Sequence, residues 1–175
     1  MTDKILVTYS TCTGSTKGVS EEIAKTLSLL GENVEVKPMS EIKALSNYKS
    51  VIAGSAIQGG KWLPEAIDFV KTHNEDLNKK PFAAFLVCMT LAMSKGNQYR
   101  DFVSSWLGPI RNLVTPLSEG LFAGTLDINK IPSFNDRIKF RISVLFGVWK
   151  EGDHRDWDSI QTWTKNTKII LDKSS

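Results

Sequence analysis

At 175 residues, 41% of them hydrophobic and 23% charged, the chain has the make-up of an ordinary soluble globule, and a single domain over 1–175 is expected. Twenty-two Lys and Arg against nineteen Asp and Glu leave a net charge of +3, too small and too dispersed for a nucleic-acid-binding surface. No apolar run reaches the length of a membrane span, Met1-Thr2-Asp3-Lys4 lacks the build of a signal peptide, and Cys12 and Cys88 form no ligand pattern with His73 or His154, so a cytoplasmic protein without a metal site is expected.

The first element carries the strongest signal. Ile5-Leu6-Val7-Thr8-Tyr9 reads as a strand and runs into Ser10-Thr11-Cys12-Thr13-Gly14-Ser15-Thr16, a loop of hydroxyls around one glycine. Val19, Ile23, Ala24, Leu27 and Leu30 then share one face at helical spacing. Backbone N–H groups and short hydroxyls at a helix N-terminus make a site for an anion, most often a phosphate. The GxxxxGK[ST] spacing of a nucleoside-triphosphate loop is absent, and so is a GxGxxG fingerprint. Helix capping would need one hydroxyl, and this loop has five. With no lysine in it, the loop suits a phosphate monoester held without strong Coulomb force.

Further along, a short strand is expected over 34–36 and a brief helix over 41–45. Residues 50–56 are apolar on both faces, as in a buried parallel strand. A glycine-bearing loop over 57–62 follows, then a helix opened by Pro64 that buries Leu63, Ala66, Ile67 and Val70. Pro81 introduces a strand over 82–88, a loop over 89–98 leads to a helix carrying Val103, Trp106, Leu107 and Ile110, and a fifth strand spans 119–126. This alternation calls for a parallel sheet with helices on both faces, whose ligands bind outside the carboxyl ends of the strands. The loops after the first, third and fourth strands are therefore the functional ones.

Those residues together resemble a flavodoxin. Thr11-Cys12-Thr13-Gly14-Ser15-Thr16 fits the family's T/S-x-T-G-x-T phosphate loop at every position, and the resemblance extends over about 4–126. It implies a three-layer, doubly wound α/β fold with a five-stranded parallel sheet in the order 2-1-3-4-5, and FMN as cofactor. On that resemblance Ser10, Thr11, Thr13, Gly14, Ser15 and Thr16 hold the FMN phosphate, and Cys12 adds its backbone N–H. Ala56, Ile57, Gln58, Gly59 and Gly60 approach the flavin ring, where a backbone carbonyl can accept a hydrogen bond from reduced N5. Trp62 is the candidate to stack on the ring, the alternative being a hydrophobe packed against Leu63 and Ala66. Met89, Thr90 and Leu91 form the opposite wall.

Two features depart from an acidic flavodoxin. The ring loops contain no Asp or Glu between 55 and 63 or between 88 and 99, but do contain Lys61 and Lys95. Less negative charge near the flavin predicts a less negative potential for the fully reduced couple. Second, an insert of about 127–155 precedes a final helix expected near 157–171. Within it Ile138, Ile142, Leu145 and Trp149 form one helical stripe and Phe140, Val144 and Val148 another, with Arg137, Lys139, Arg141 and Lys150 as its strong cations. Three readings of 134–150 stand: packing on the sheet to enlarge the core, a dimer or partner interface, or peripheral contact with a membrane surface.

The insert, with Gly54-Ser55-Ala56-Ile57 and Phe122-Ala123-Gly124-Thr125-Leu126, is similar to the branch that includes menaquinone-dependent protoporphyrinogen dehydrogenases. The expected function is an FMN-binding redox protein that carries electrons between redox partners, the alternative an FMN-dependent, quinone-linked dehydrogenase. A third reading, an interaction domain without flavin, is opposed by the intact phosphate loop. No residue is assigned a catalytic acid or base role.

Overall fold

Alternation along the strands decides which side each helix covers. The computed structural model describes residues 4–174, so the reading of the extreme N-terminus lies outside the described part. In β1 (Lys4–Ser10), Ile5 and Val7 point to one face of the sheet and Leu6 to the other, none more than 1% exposed. β2 (Asn33–Pro38), β3 (Tyr48–Gln58), β4 (Phe82–Cys88) and β5 (Ser118–Ala123) complete a parallel sheet. Its order is β2-β1-β3-β4-β5, the expected 2-1-3-4-5. The helices are α1 (Ser15–Leu29), α2 (Pro64–Thr72), α3 (Arg100–Ser105), α4 (Phe134–Leu145) and α5 (Trp157–Lys173), joined by shorter turns.

Two cores result, one on each face. Val19, Ile23 and Leu27 of α1 and Ile160 and Leu171 of α5 pack on Ile5, Val7, Ile52, Phe85 and Val87. Ala66, Phe69 and Val70 of α2 and Val103 of α3 pack on Leu6, Val51, Ala53, Phe82 and Leu86. Burial of each large apolar side chain contributes about 1.5–3 kcal/mol, so these layers supply most of the drive to fold. Strand β4 is buried along its whole length, and its Phe82 and Phe85 are among the largest fully buried side chains. Phe85 lies directly across from Gly54, where an added Cβ would come within 1.9 Å of its ring. Gly54 is there to admit that ring.

Several boundaries differ from expectation, each for a local reason. The helix expected over 41–45 is a single 3-10 turn, Met39–Glu41, after which Ile42 is extended. Met39, Ile42 and Leu45 are spaced by three and all pack inward, which imitates a helical stripe in the sequence. The loop expected over 57–62 is a hairpin: β3 continues to Gln58 and Lys61–Trp62 pairs back on it antiparallel. Gly59 and Gly60, at φ of 58° and 73°, form the two-residue turn that only such a pair permits cheaply. The helix expected over 103–110 breaks before Gly108-Pro109 and resumes as Gly108–Arg111, although Val103, Leu107 and Ile110 are buried as one stripe. The fifth strand leaves the sheet at Gly124, where a Cβ would meet Ser15 Oγ at 2.9 Å, and Thr125–Leu126 pairs instead with Gly152–Asp153.

The insert does not enlarge either core. No residue of α4 is fully buried. Ser133 caps its start by accepting from the Asp136 N–H, and at its end the N–H groups of Gly147 and Val148 turn back to the carbonyls of Val144 and Ser143.

Candidate functional site

The carboxyl ends of β1, β3, β4 and β5 open into one cleft, roofed on its free side by the insert. Its lining brings together Thr11, Cys12, Thr13, Ser15 and Thr16 from the first loop, Ala56, Ile57 and Gln58 from the end of β3, and Val87, Cys88 and Met89 from the end of β4. Local chemistry holds the first loop in shape. The Gly14 N–H donates to Thr11 Oγ1 at 3.1 Å, and Gly14 adopts φ 92° just before α1. Ser15 Oγ accepts from the Thr125 N–H at 3.0 Å, tying the loop to the segment that leads into the insert.

What the first turn of α1 lacks is as telling. No side chain caps it and no acidic residue lies in it. The hydroxyl of Thr16 is wholly buried and has no hydrogen-bond partner. A buried hydroxyl without a partner costs about 1–3 kcal/mol, so an acceptor reaching Thr16 would be favoured. Helix dipole, uncapped N–H groups and orphaned hydroxyl all favour an anion.

Other expected residues stand elsewhere. Ser10 is buried and donates its hydroxyl to the Glu65 carboxylate, away from the cleft lining. Gly14 lines an adjoining hollow with Lys130, Glu151 and Arg155. Gly59 and Gly60 lie out on the hairpin turn, Gly60 against the Trp106 indole. Trp62 is 3% exposed and packed in the core with α2, so it has no free face for stacking on a ring. Its pairing opposite Ile57 turns it inward. Thr90 and Leu91 form a 3-10 turn outside the lining, Leu91 packing on the core. Lys61 and Lys95 do not line the cleft either.

The end of the fifth strand and the insert supply what sequence reasoning missed: Gly124, Thr125 and Leu126, then Asp127, Ile131, Pro132, Asp136 and Phe140 complete the wall. The cleft is therefore not acid-free, since Asp127 and Asp136 both border it. Arg155 is a second omission. It stacks on Trp157 at 4.4 Å and is clamped by Asp153 at 2.6 Å, and a Cβ on Gly18 would lie 2.3 Å from its Nη1. A guanidinium thus rests on the first turns of α1, although the loop itself has no lysine. The Phe122–Leu126 motif and the Phe140 stripe were the only signals in the sequence for this wall.

Two thiols, Cys12 and Cys88, and two carboxylates, Asp127 and Asp136, border the cleft. Burial pushes the Cys12 thiol up, and it pushes Cys88 up against the opposing backbone N–H groups of Leu91 and Thr90. Both thiols are unpaired, and no cluster able to hold a metal occurs among the described residues. The arrangement suits an anion at the first loop beside a mainly apolar body.

A family model described as "Flavodoxin domain" matches residues 6–154. The chain belongs to the flavodoxin-domain family. Curated relatives of this flavodoxin-domain protein include a protein from Leishmania major named "Protoporphyrinogen IX dehydrogenase [quinone]", 29% identical over 93% of this chain and 74% of its own length. A protein of the same name from Escherichia coli (strain K12) is 23% identical, covering 97% of both chains. Among solved structures, a short-chain flavodoxin associated with a bacterial microcompartment superposes with a TM-score of 0.61 at 13% identity, over 98% of this chain and 99% of its own. Flavodoxin 2 from Bacillus cereus gives 0.56 at 20% identity, over 97% and 99%. At such identities the superpositions speak for the fold. Flavin mononucleotide is the cofactor that goes with the flavodoxin domain, and the residues here fit it: a single phosphate matches the orphaned Thr16 hydroxyl and the uncapped helix start.

Proposed function

We propose that the protein binds FMN non-covalently in this cleft and serves as a redox protein, exchanging electrons with partner molecules through the flavin. The observation that carries the reading is the buried, unpartnered Thr16 hydroxyl at an uncapped helix start on the carboxyl edge of the sheet. Thr11, Thr13, Ser15 and Thr16, with the backbone N–H groups from Cys12 onward, hold the phosphate. Ala56, Ile57 and Gln58 border the ring on one side and Met89 on the other, while Asp127, Asp136 and Phe140 of the insert limit access from solvent. When bound, FMN supplies one- and two-electron redox chemistry; the protein binds, orients and shields it. Two free thiols suit a reducing, cytoplasmic setting.

A second reading, an FMN-dependent, quinone-linked dehydrogenase, is favoured by one feature, the insert wall of Asp136 and Phe140, and by the names of the curated relatives. Reconstitution with FMN followed by anaerobic reductive titration tests both. Two resolved one-electron steps favour a carrier; a single two-electron step together with quinone-dependent oxidation of a porphyrinogen favours the dehydrogenase. A protein that takes up no FMN overturns both.

A further inference from the structure

The outer face of α4 is amphipathic in the wrong sense for a helix of a water-exposed wall. Asp136 and Phe140 turn toward the cleft, and Trp149 folds back beside Phe140 with ring centroids 6.3 Å apart. The opposite face presents Phe134, Ile138, Ile142 and Leu145, at spacings of four, four and three, followed by Phe146 and Val148. Their exposures are 71%, 42%, 48%, 85%, 81% and 47%. Six large apolar side chains in one continuous stripe need a covering.

Charge decides which covering. From 134 to 150 the segment holds Arg137, Lys139, Arg141 and Lys150 against Asp136 alone. Asp136 is turned to the cleft and bonded to Lys139 at 3.3 Å, while Arg141 and Lys150 are exposed and in no ion pair among the described residues. The acids just beyond are exposed but already bonded within the chain, Glu151 accepting from the Ile128 N–H and Asp153 from Arg155. Isologous pairing of two copies through this face would set equal positive charge against itself. An anionic bilayer surface answers both features, taking the apolar stripe among its acyl chains and the cations at its phosphates. No described helix is long and apolar enough to cross a membrane. We propose that α4 and residues 146–150 lie flat on an anionic lipid surface, so that the mouth of the cleft opens beside the bilayer. This deepens the functional reading by naming a docking partner, and its test does not depend on FMN.

The test is co-sedimentation of the full chain with vesicles of pure phosphatidylcholine and of phosphatidylcholine with 30% phosphatidylglycerol. Binding is expected to the anionic vesicles and to fall with salt. The Arg141→Gln/Lys150→Gln double variant should bind them about twenty-five-fold more weakly, from roughly fivefold per cation. Leu145→Ser/Phe146→Ser should weaken binding at least about tenfold. All four positions are exposed, and circular dichroism verifies that the variants fold. Failure of the parent chain to bind anionic vesicles overturns the proposal. So does equal binding by the variants, or a dimer in analytical ultracentrifugation that the Leu145→Ser/Phe146→Ser pair dissolves. A chain that binds vesicles but takes up no FMN keeps this inference while removing the functional one.

Discussion

The Thr16 hydroxyl contributes nothing to the hydrogen-bonding of the bare protein, and that makes its role separable. Thr16→Val should raise the stability of the FMN-free protein by up to about 1–3 kcal/mol, because it removes a buried hydroxyl that has no partner. Loss of a hydrogen bond to a charged acceptor is worth about 1.5–3 kcal/mol, so FMN affinity should drop roughly ten- to hundredfold in a fluorescence titration. An unchanged affinity would detach the loop from phosphate binding. Asp136 offers a second probe. Negative charge beside a flavin opposes reduction, so Asp136→Asn should move the potential of the fully reduced couple to less negative values; a redox titration reading no change places the carboxylate too far away to act. At the sheet edge, Lys37, Tyr48 and Lys4 bond to Glu35 and hold its carboxyl at about 2. A depressed carboxylate stabilises the fold above its unfolded value near ~4.3 and loses that contribution as pH falls toward about 2. Between those limits the parent chain should therefore lose denaturant midpoint more steeply than Glu35→Gln. Parallel curves for the two proteins would count against the ion pairs.

Among elements, strand β4 tests the packing of the sheet most sharply. Gly54→Val would drive a branched side chain into the Phe85 ring, and overpacking of this kind costs about 1–3 kcal/mol in denaturant unfolding. A neutral result would mean that Phe85 has another rotamer available. The strands and the three cleft-forming loops were legible because apolar period and glycine placement are local properties. Thr11, Cys12, Thr13, Ser15 and Thr16, which line the cleft, stood out for the same reason. Trp62 was not legible: its direction depends on a hairpin register, Ile57 opposite Trp62, that a run of apparent loop residues does not reveal. Asp127, Asp136 and Arg155 reach the site through long-range folding of the insert, with no periodic signal to announce it. In the same way Met39, Ile42 and Leu45 imitate a helix although they pack on the core from a 3-10 turn, an extended residue and a bend.

For the molecule as a whole, ligand and fold are linked. FMN at a hundred times its dissociation constant should add about 2.7 kcal/mol to the stability, visible as a rise in Tm that grows with FMN concentration. A Tm indifferent to saturating FMN would contradict the proposed function. The two-residue ribbon that closes the insert has a different kind of consequence. Thr125 stands opposite Asp153 and Leu126 opposite Gly152, so the chain departs and returns at a single point. That geometry makes the ribbon a socket. A two-residue turn such as Asn-Gly can join Leu126 to Gly152 directly, because antiparallel neighbours accept that link. Longer segments also fit, since closure cost grows only with the logarithm of loop length. The flavodoxin frame can then exchange this cassette for another without repacking its sheet, which separates what holds the cofactor from what chooses the company it keeps.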